Sequence, residues 1–343
     1  MESSVQEKME AGESWYDWKW QTANKIRDLK SLKALLPLSP QEEQAFVHSD
    51  RIFNFGVSPY YLALVDQNNP ACPVRKQIIP SLAELQVRGS EKSDPLAEEK
   101  FTVATGLVHR FPDRVLWYLS HHCGAYCRFC TRKRKVADSS SRPDRQQRQQ
   151  ALDYIRHNSS IREVILSGGD PLTLSDSFLS EVLADIRSIP HINQIRIHTR
   201  MPVVMPMRIT EELCSVFSSY FPLYIVTHFN HASEITAQAA AALKKLATLG
   251  NCVLLNQNVL LAGINDDAEV LKQLYYKLVA LGVKPYYLHH CDEVYGITSF
   301  RVPYRKGMAI MKQLRSQMSG ICVPEFVVDL EGAQGKIPIY EFS

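Results

Sequence analysis

The segment Glu163-Val-Ile-Leu-Ser-Gly-Gly-Asp170 joins a short apolar, β-branched run to a small polar turn. Runs of this kind, bounded by turn residues, indicate buried strands. Similar runs start at residues 194, 223, 252 and 284, so successive starts from residue 163 lie 31, 29, 29 and 32 residues apart. One strand, one helix and their connections occupy about this length. The predicted strands are Val115–Leu119, Glu163–Leu166, Gln194–His198, Leu223–Val226, Cys252–Gln257, Lys284–Leu288 and a short last one, Phe326–Val328.

Amphipathic stretches between these runs predict helices at Ser175–Ile189, Thr236–Leu249, Asp266–Leu281 and Tyr304–Met318. We expect Ser175, Thr236 and Asp266 to be N-caps, because their side chains can accept a hydrogen bond from the first helical turn. Strands that alternate with helices imply a parallel sheet with right-handed crossovers. About six such units are fewer than the eight of a closed barrel. The sequence therefore predicts an α/β fold, an open, partial βα barrel.

The chain before this pattern has a different character. Residues 1–105 contain three close tryptophans, Trp15, Trp18 and Trp20, followed by helical stretches and a loop-rich segment. We expect this part to be a mainly helical N-terminal subdomain that packs on the barrel. Residues 106–320 then form the barrel, and residues 321–343 form a C-terminal segment.

Composition limits the class of protein. The chain has 343 residues, of which 45% are hydrophobic and 22% charged, and this profile excludes a disordered, collagen-like or disulfide-scaffold protein. The 39 basic and 36 acidic residues give a net charge of +3. So small an excess produces no field that would favour nucleic acid or an anionic membrane as a partner. We expect neither.

Two stretches bear on localisation. Residues 1–13 are polar and lack the apolar core of a secretory signal. The longest run without charge, Leu246–Asn265, is twenty residues long, but its Asn and Gln side chains would be costly in hydrocarbon. We therefore expect no membrane span and a cytoplasmic protein, in which thiols stay reduced.

Three cysteines, Cys123, Cys127 and Cys130, have the spacing C-x3-C-x2-C directly after the first predicted strand. Thiolates this close in sequence can hold an iron–sulfur cluster, and three ligands on a four-iron cluster leave one iron open for a small molecule. The alternatives are a zinc site completed by His121 or His122, and chance. The remaining cysteines are expected to be packing residues: Cys72, Cys214, Cys252, Cys291 and Cys322.

Polar residues follow the other predicted strands at the same end. In βα barrels this end carries the active site, because the carboxyl ends of parallel strands meet there. The residues concerned are Ser167 to Asp170, His198, Arg200, His228, Asn230, Gln257, Asn258, His289 to Asp292, and Asp329. The sequence therefore predicts one site at one rim of the barrel.

Several motifs taken together resemble the lysine 2,3-aminomutase family of the radical S-adenosylmethionine superfamily. The similarity covers nearly the whole chain. The matching stretches are Trp15–Gln21, His109–Arg114, Cys123–Arg134, Ile165–Asp170, Thr227–His231, Leu255–Asn265 and Val323–Asp329.

The resemblance implies a [4Fe–4S] cluster on Cys123, Cys127 and Cys130, with S-adenosylmethionine on the fourth iron. The turn Gly168-Gly169-Asp170 would accept the methionine ammonium group, since glycines allow close approach of the backbone. Without the cysteines, this turn would be interpreted as a plain connection between a strand and a helix. His228 and Gln257 would line the same pocket, and a buried, hydrogen-bonded histidine is the alternative for His228.

The second cofactor that the resemblance implies is pyridoxal phosphate, bound covalently to Lys336. Members of the family have a run of glycines before this lysine, which Ala333 and Gln334 interrupt in this chain. A solvated lysine on a tail is the alternative. Arg110 and Arg114 match the residues that hold the cofactor phosphate.

The resemblance also assigns the substrate contacts. Arg132 would pair with the α-carboxylate of an amino acid, and Asp292 and Asp329 would receive the distant ammonium group of lysine. Two carboxylates in one pocket need a cation or a shared proton. The run Arg132-Lys-Arg-Lys135 has a nucleic-acid patch as its alternative interpretation.

The expected activity is an isomerase that converts L-lysine to β-lysine by migration of the 2-amino group to carbon 3. Its implied partners are L-lysine, an electron donor and further copies of the chain in a homo-oligomer. Two alternatives stay open. The same chemistry could serve the β-lysylation of translation elongation factor P, since Ile197–Arg200 and Tyr287–His289 resemble that branch of the family. A non-catalytic iron–sulfur or zinc protein on the same barrel is the other.

Overall fold

A computed structural model describes residues 4–49, 53–86, 89, 91–136 and 143–342. Its centre is a single sheet of ten strands that lie side by side in sequence order. The strands are β1 (Thr102–Ala104), β2 (Leu107–Phe111), β3 (Arg114–Ser120), β4 (Glu163–Gly168), β5 (Gln194–His198), β6 (Leu223–Thr227), β7 (Cys252–Leu260), β8 (Lys284–His290), β9 (Glu325–Val328) and β10 (Ile337–Pro338).

The seven strands from β3 to β9 are parallel to one another, and they are the seven that the apolar runs predict. Antiparallel strands β1 and β2 extend one edge, and β10 extends the other. Among the described residues β1 and β10 do not pair with each other, so the sheet stays open. The expected open, partial βα barrel is confirmed.

In the described part of the chain, six helices precede the first strand, and the others lie in the connections between strands β3 and β9. In chain order they are α1 (Val5–Lys8), α2 (Trp18–Ala23), α3 (Leu29–Leu35), α4 (Pro40–Ser49), α5 (Pro59–Leu62), α6 (Pro73–Ile78), α7 (Arg145–His157), α8 (Asp176–Arg187), α9 (Met201–Val204), α10 (Glu211–Ser218), α11 (Ala237–Thr248), α12 (Ala268–Ala280) and α13 (Tyr304–Gln317). The four helices predicted from amphipathic stretches correspond to α8, α11, α12 and α13.

Two of the three expected N-caps are confirmed. The side chain of Ser175 accepts from the Phe178 amide, and that of Thr236 accepts from the Ala239 amide. The prediction for Asp266 was wrong by one residue. Asp267 caps α12, while Asp266 accepts from the Gly263 amide and closes the preceding turn.

Helix α7 is absent from the prediction, although it forms the first crossover between parallel strands. Its sequence, RQQRQQALDYIRH, is strongly polar, and only Ala151, Leu152 and Ile155 are buried. These residues recur at helical spacing, and Asp144 caps the helix. The signal was therefore present, but the many Arg and Gln side chains obscured it.

The uncharged run of residues 246–265 contains strand β7, not a long helix. Across the part of the chain that the structure describes, every helix is too short or too polar to cross a membrane.

The helical N-terminal part contacts the barrel through specific pairs. The Arg208 guanidinium lies 4.5 Å from the centre of the Trp18 ring. The Tyr61 hydroxyl donates to Glu234 Oε1 at 2.5 Å. The sheet begins at Thr102, and the division of the chain at residues 105 and 320 stays a prediction.

Candidate active site

One cavity of about 290 Å³ brings together the residues that were predicted to bind a cofactor, a cluster or the substrate. Asn230 and Asn258, which were expected at the same rim, are buried and do not line it. Its wall contains Arg110, Arg114, Cys123, Cys127, Cys130, Arg132, Gly168, Gly169, Asp170, His228, Gln257, Asp292, Asp329 and Lys336. These residues come from positions spread over more than two hundred residues of chain, so the fold, not the local sequence, makes them neighbours. Their individual roles stay predictions.

The three cysteines of the motif are free thiols on the loop after β3. Burial raises the pKa of the Cys130 thiol to about 11 and also raises that of Cys123. Arg200 Nη1 donates to Cys127 Sγ at 2.6 Å. Buried thiols of this kind need a nearby cation to ionise, and iron would supply one.

The donor set on this loop consists of three thiols. Thiolates bind iron–sulfur clusters, each through a different iron, and they also bind zinc. The three cysteines therefore fit the expected [4Fe–4S] cluster, and zinc stays the alternative.

The turn after β4 has the shape of a ligand cradle. Gly168 has a φ of +105°, which side chains rarely adopt. A Cβ on Gly168 would lie 2.4 Å from the Tyr118 ring, and one on Gly169 would lie 2.6 Å from the His122 carbonyl oxygen. The space around Gly168 and Gly169 therefore admits no larger residue. The backbone of both glycines borders the cavity.

Asp170 directs its carboxylate toward the protein. Its oxygens accept from the Thr199 hydroxyl at 2.8 Å, from the Arg200 amide at 2.7 Å and from the Leu172 amide at 3.0 Å. The side chain thus ties the end of β4 to the end of β5. Only the backbone of this residue remains for a cofactor.

Several buried nitrogen atoms on the cavity wall have no hydrogen-bond partner among the described residues. They are Arg110 Nε, Arg196 Nε, His198 Nε2, His228 Nε2 and His290 Nδ1. Burial, together with the Arg200 charge, lowers the pKa of His228 to about 3, so its ring is neutral. Gln257 Nε2 lies 3.2 Å from His198 Nδ1. Buried polar atoms without partners are uncommon in proteins, and they suit a polar ligand in this cavity.

Lys336 projects its amine into the same cavity. Its Nζ lies 3.8 Å from Asp329 Oδ2 and 5.6 Å from the centre of the Tyr287 ring. Burial lowers the pKa of Lys336, because the opposing effect of Asp329 is weaker. Arg196, Arg114 and Arg132 are close enough to lower it further. An amine with a lowered pKa is a good nucleophile toward a carbonyl group, so this lysine fits covalent attachment of pyridoxal phosphate.

The two arginines predicted for the phosphate differ in their surroundings. Arg110 Nη1 pairs with Asp329 Oδ1 at 2.7 Å, and its Nη2 donates to the Leu330 carbonyl. Arg114 pairs with the exposed Asp113 and also lines a second cavity of about 340 Å³. Lys336 and Arg196 border both cavities. The cationic wall that a phosphate requires is therefore present.

The predicted substrate residues also have partners. Thr131 Oγ1 donates to Asp292 Oδ2 at 2.6 Å. Burial, with a further contribution from Asp329, raises the pKa of Asp292 to about 6. Arg132 Nη2 pairs with Glu98 Oε1 at 2.7 Å, and its Nε donates to the Tyr118 hydroxyl at 2.8 Å.

The basic run after the cysteines does not form an unpaired patch among the described residues. Arg134 Nη2 lies 2.9 Å from Asp94 Oδ1, and Lys133 Nζ lies 3.8 Å from Glu84 Oε2. Lys135 lies over the Tyr118 ring. Internal pairing of this kind argues against the nucleic-acid interpretation.

The sequence did not point to several residues that line the cavity, including Glu98, Arg196 and Thr131. Arg196 and His198 alternate with buried isoleucines along β5, so both face the barrel interior. A strand with polar residues at alternate positions inside a barrel is a detectable signal. Cys291, expected to be a packing residue, is buried and also borders the cavity.

No protein-family model matches the chain. Among solved structures, the crystal structure of Streptococcus suis SuiB bound to S-adenosylmethionine is similar with a TM-score of 0.46 and 15% identity. The similarity covers 64% of this chain and 51% of that one. This level of likeness adds nothing to the assignment.

Curated relatives match nearly the whole chain. The L-lysine 2,3-aminomutase of Acetoanaerobium sticklandii is 45% identical over 327 residues, which cover 95% of this chain and 79% of that protein. The L-lysine 2,3-aminomutase of Clostridium subterminale is 44% identical, with 95% and 78% covered. The glutamate 2,3-aminomutase of Clostridioides difficile is 38% identical, with 95% and 77% covered. These matches agree with the motifs and with the residues that the cavity assembles, and the chain belongs to the lysine 2,3-aminomutase family.

Proposed function

We propose that this protein is an isomerase that converts L-lysine to β-lysine with a [4Fe–4S] cluster, S-adenosylmethionine and pyridoxal phosphate. The observation that carries the proposal is the cavity in which three cysteines, a half-buried lysine, an arginine and two aspartates meet. The relatives named L-lysine 2,3-aminomutase support the same activity.

The cofactors carry the chemistry that side chains cannot perform. When bound, the cluster with S-adenosylmethionine supplies one-electron chemistry, and pyridoxal phosphate supplies the carbonyl group to which the migrating nitrogen attaches. Cys123, Cys127 and Cys130 would hold the cluster. Lys336 would hold pyridoxal phosphate, with Arg114 and Arg110 near its phosphate.

The protein contributes by holding lysine at both ends. A guanidinium such as that of Arg132 forms two parallel hydrogen bonds with an α-carboxylate. At the other end, Asp292 and Asp329 would share the ε-ammonium group. Fixing both ends of a flexible chain orients the carbon atoms between them, which lowers the entropic part of the barrier.

Lys336 also carries the protons that attachment and release of the substrate amine require. Its lowered pKa leaves a larger uncharged fraction at neutral pH than an exposed lysine has. The cavity wall limits the access of water to the bound groups, and this protects reactive species from side reactions.

The related glutamate 2,3-aminomutase makes glutamate the main competing substrate. The electrostatics of the cavity favour lysine, because Asp292 and Asp329 would repel a side-chain carboxylate. Burial raises the pKa of Asp292, and the Asp329 charge adds a smaller contribution before any ligand arrives. A third negative charge would add to that contribution.

Two further parts of the proposal concern partners. Reduction of the cluster requires an electron donor, and we expect the protein to form a homo-oligomer.

The destination of the product is a separate question. Release of free β-lysine, or its transfer to translation elongation factor P, would follow from the same reaction.

The test is an anaerobic assay of reconstituted protein with S-adenosylmethionine, pyridoxal phosphate and a chemical reductant. β-Lysine should form from L-lysine at a rate at least a hundredfold above β-glutamate from L-glutamate. Equal rates with both substrates would contradict the assignment of lysine. Failure to form any β-amino acid, with cluster and pyridoxal phosphate both bound, would contradict the activity itself.

A further inference from the structure

The guanidinium of Arg132 is held on one edge only. A guanidinium offers two bidentate edges, a side edge formed by Nε and one Nη, and an end edge formed by both Nη atoms. Nε of Arg132 lies 3.2 Å from Glu98 Oε1, and Nη2 lies 2.7 Å from the same oxygen. Glu98 therefore occupies the side edge.

A tyrosine completes this contact. The Tyr118 hydroxyl accepts from Arg132 Nε at 2.8 Å and donates to Glu98 Oε2 in a short hydrogen bond. The three side chains thus form a closed triangle, in which each makes a hydrogen bond to both others. Such an arrangement restricts rotation of the guanidinium far more than a single ion pair does.

The triangle lies on rigid supports. Glu98 begins a 3-10 turn (Glu98–Phe101) directly after Ala97, whose φ is +52°. Tyr118 is a buried residue of strand β3 and stacks on His121. Burial alone would raise the pKa of Glu98, but the Arg132 charge and hydrogen bonds lower it to about 2. The carboxylate is therefore ionised at neutral pH.

The end edge of Arg132 remains for a ligand. Nη1 makes no hydrogen bond to any residue in the described part of the chain, and Arg132 borders the cavity. About a fifth of its side-chain surface is exposed. The free end edge, like the side edge, has a geometry that suits a carboxylate.

We infer that Glu98 and Tyr118 are positioning residues, which hold the side edge of Arg132 so that its end edge selects substrates with a free α-carboxylate. This inference rests on the proposed function. It assigns the preference for substrates with a free α-carboxylate to two residues that do not themselves touch the substrate.

The experiment measures binding, not turnover. L-Lysine and L-lysinamide are titrated calorimetrically into anaerobic, reconstituted protein loaded with pyridoxal phosphate, in the absence of reductant. The two ligands differ only in the carboxylate. The parent protein should bind lysine at least tenfold more tightly than lysinamide, because the amide cannot form a charged pair with the end edge.

Glu98→Gln should weaken lysine binding at least tenfold and change lysinamide binding less than twofold. Tyr118→Phe should have a smaller effect in the same direction. Glu98→Asp keeps the charge on a shorter side chain and should restore part of the discrimination. The matched control is Glu99→Gln, because Glu99 is exposed and pairs with Arg134. That variant should bind both ligands as the parent does.

The possible results separate a failure of this inference from a failure of the proposed function. If Glu98→Gln and Tyr118→Phe weaken both ligands equally, the two residues have a purely structural role and the inference is overturned. If Glu98→Gln does not fold, Tyr118→Phe alone decides, since it removes one hydroxyl. A parent that binds lysine and lysinamide equally overturns the role of Arg132 while lysine remains the substrate. A parent that binds neither overturns the proposed function.

Discussion

Asp292→Asn should make the cofactor-free protein more stable while it destroys lysine turnover. The carboxylate of Asp292 is held beside Asp329 in a cavity wall, and burial raises its pKa from 3.8 to about 6. Ionised Asp292 is therefore a cost to folding at neutral pH. Asparagine has the same shape, can still accept from Thr131 and carries no charge.

The size of the effect follows from the shift in pKa. A difference of about two pKa units corresponds to about 3 kcal/mol in the free energy of unfolding. For a chain of 343 residues the entropy of unfolding is roughly 0.7 kcal/mol/K, so we expect a rise in Tm of about 4 °C.

The gain in stability from Asp292→Asn depends on pH. The folded state has the higher pKa, so it binds more protons than the unfolded state between pH 3.8 and about 6. The cost of the charge is complete above about pH 6 and disappears below pH 3.8, where Asp292 is protonated in both states. The gain in Tm from Asp292→Asn should therefore be full at pH 8 and near zero at pH 4.

Differential scanning fluorimetry of the cofactor-free parent and variant at the two pH values makes the measurement. Asp329→Asn is the control, because Asp329 pairs with Arg110 at 2.7 Å and its neutralisation leaves that guanidinium unpaired. The control should lower Tm at pH 8. A lower Tm for Asp292→Asn at pH 8, or an equal gain at pH 4, would refute the reasoning.

Three further predictions follow from the same cavity. Cys127→Ser should abolish reductive cleavage of S-adenosylmethionine. The control variant Cys214→Ser should retain it, because Cys214 is a buried thiol away from the cavity. Cleavage at the parent rate by Cys127→Ser would show that the cluster is elsewhere. Lys336→Ala should lose the borohydride-trapped pyridoxal adduct and keep the iron–sulfur absorbance, because the two cofactors have separate ligands; an adduct mapped to another lysine would contradict this. The KM for lysine should rise as pH falls below about 6, since protonated Asp292 cannot pair with an ammonium group; a flat profile between pH 5 and 8 would count against that pairing.

The strands were predictable because short apolar, β-branched runs recur at a nearly constant spacing, and strands such as β4 are almost wholly buried, while β5 and β7 alternate buried residues with partly exposed ones. The run predicted at Val115–Leu119 lies within Arg114–Ser120, and Gln194–His198 has the same bounds in prediction and structure. Helix α7 was missed although its few apolar residues recur at helical spacing, because its many Arg and Gln side chains make the stretch strongly polar.

Local motifs determined the chemistry of the candidate site. Three cysteines within eight residues, two adjacent glycines and a lysine near the end of the chain are short-range features. Side-chain types and spacing are enough to predict which groups such residues can bind. The placement of all of them on one cavity wall agrees with that prediction.

Only the tertiary structure decided how these residues are held. Glu98 and Arg132 are 34 residues apart, and Arg110 and Asp329 are 219 residues apart, yet each pair makes contacts of 2.7 Å. The strength of an ion pair depends on the distance between its charges and on their burial. Neither can be predicted from the sequence around each of the two residues. Arg110 lies in β2 near one edge of the sheet and Asp329 follows β9 near the other, so this pair bridges the two sides of the open barrel.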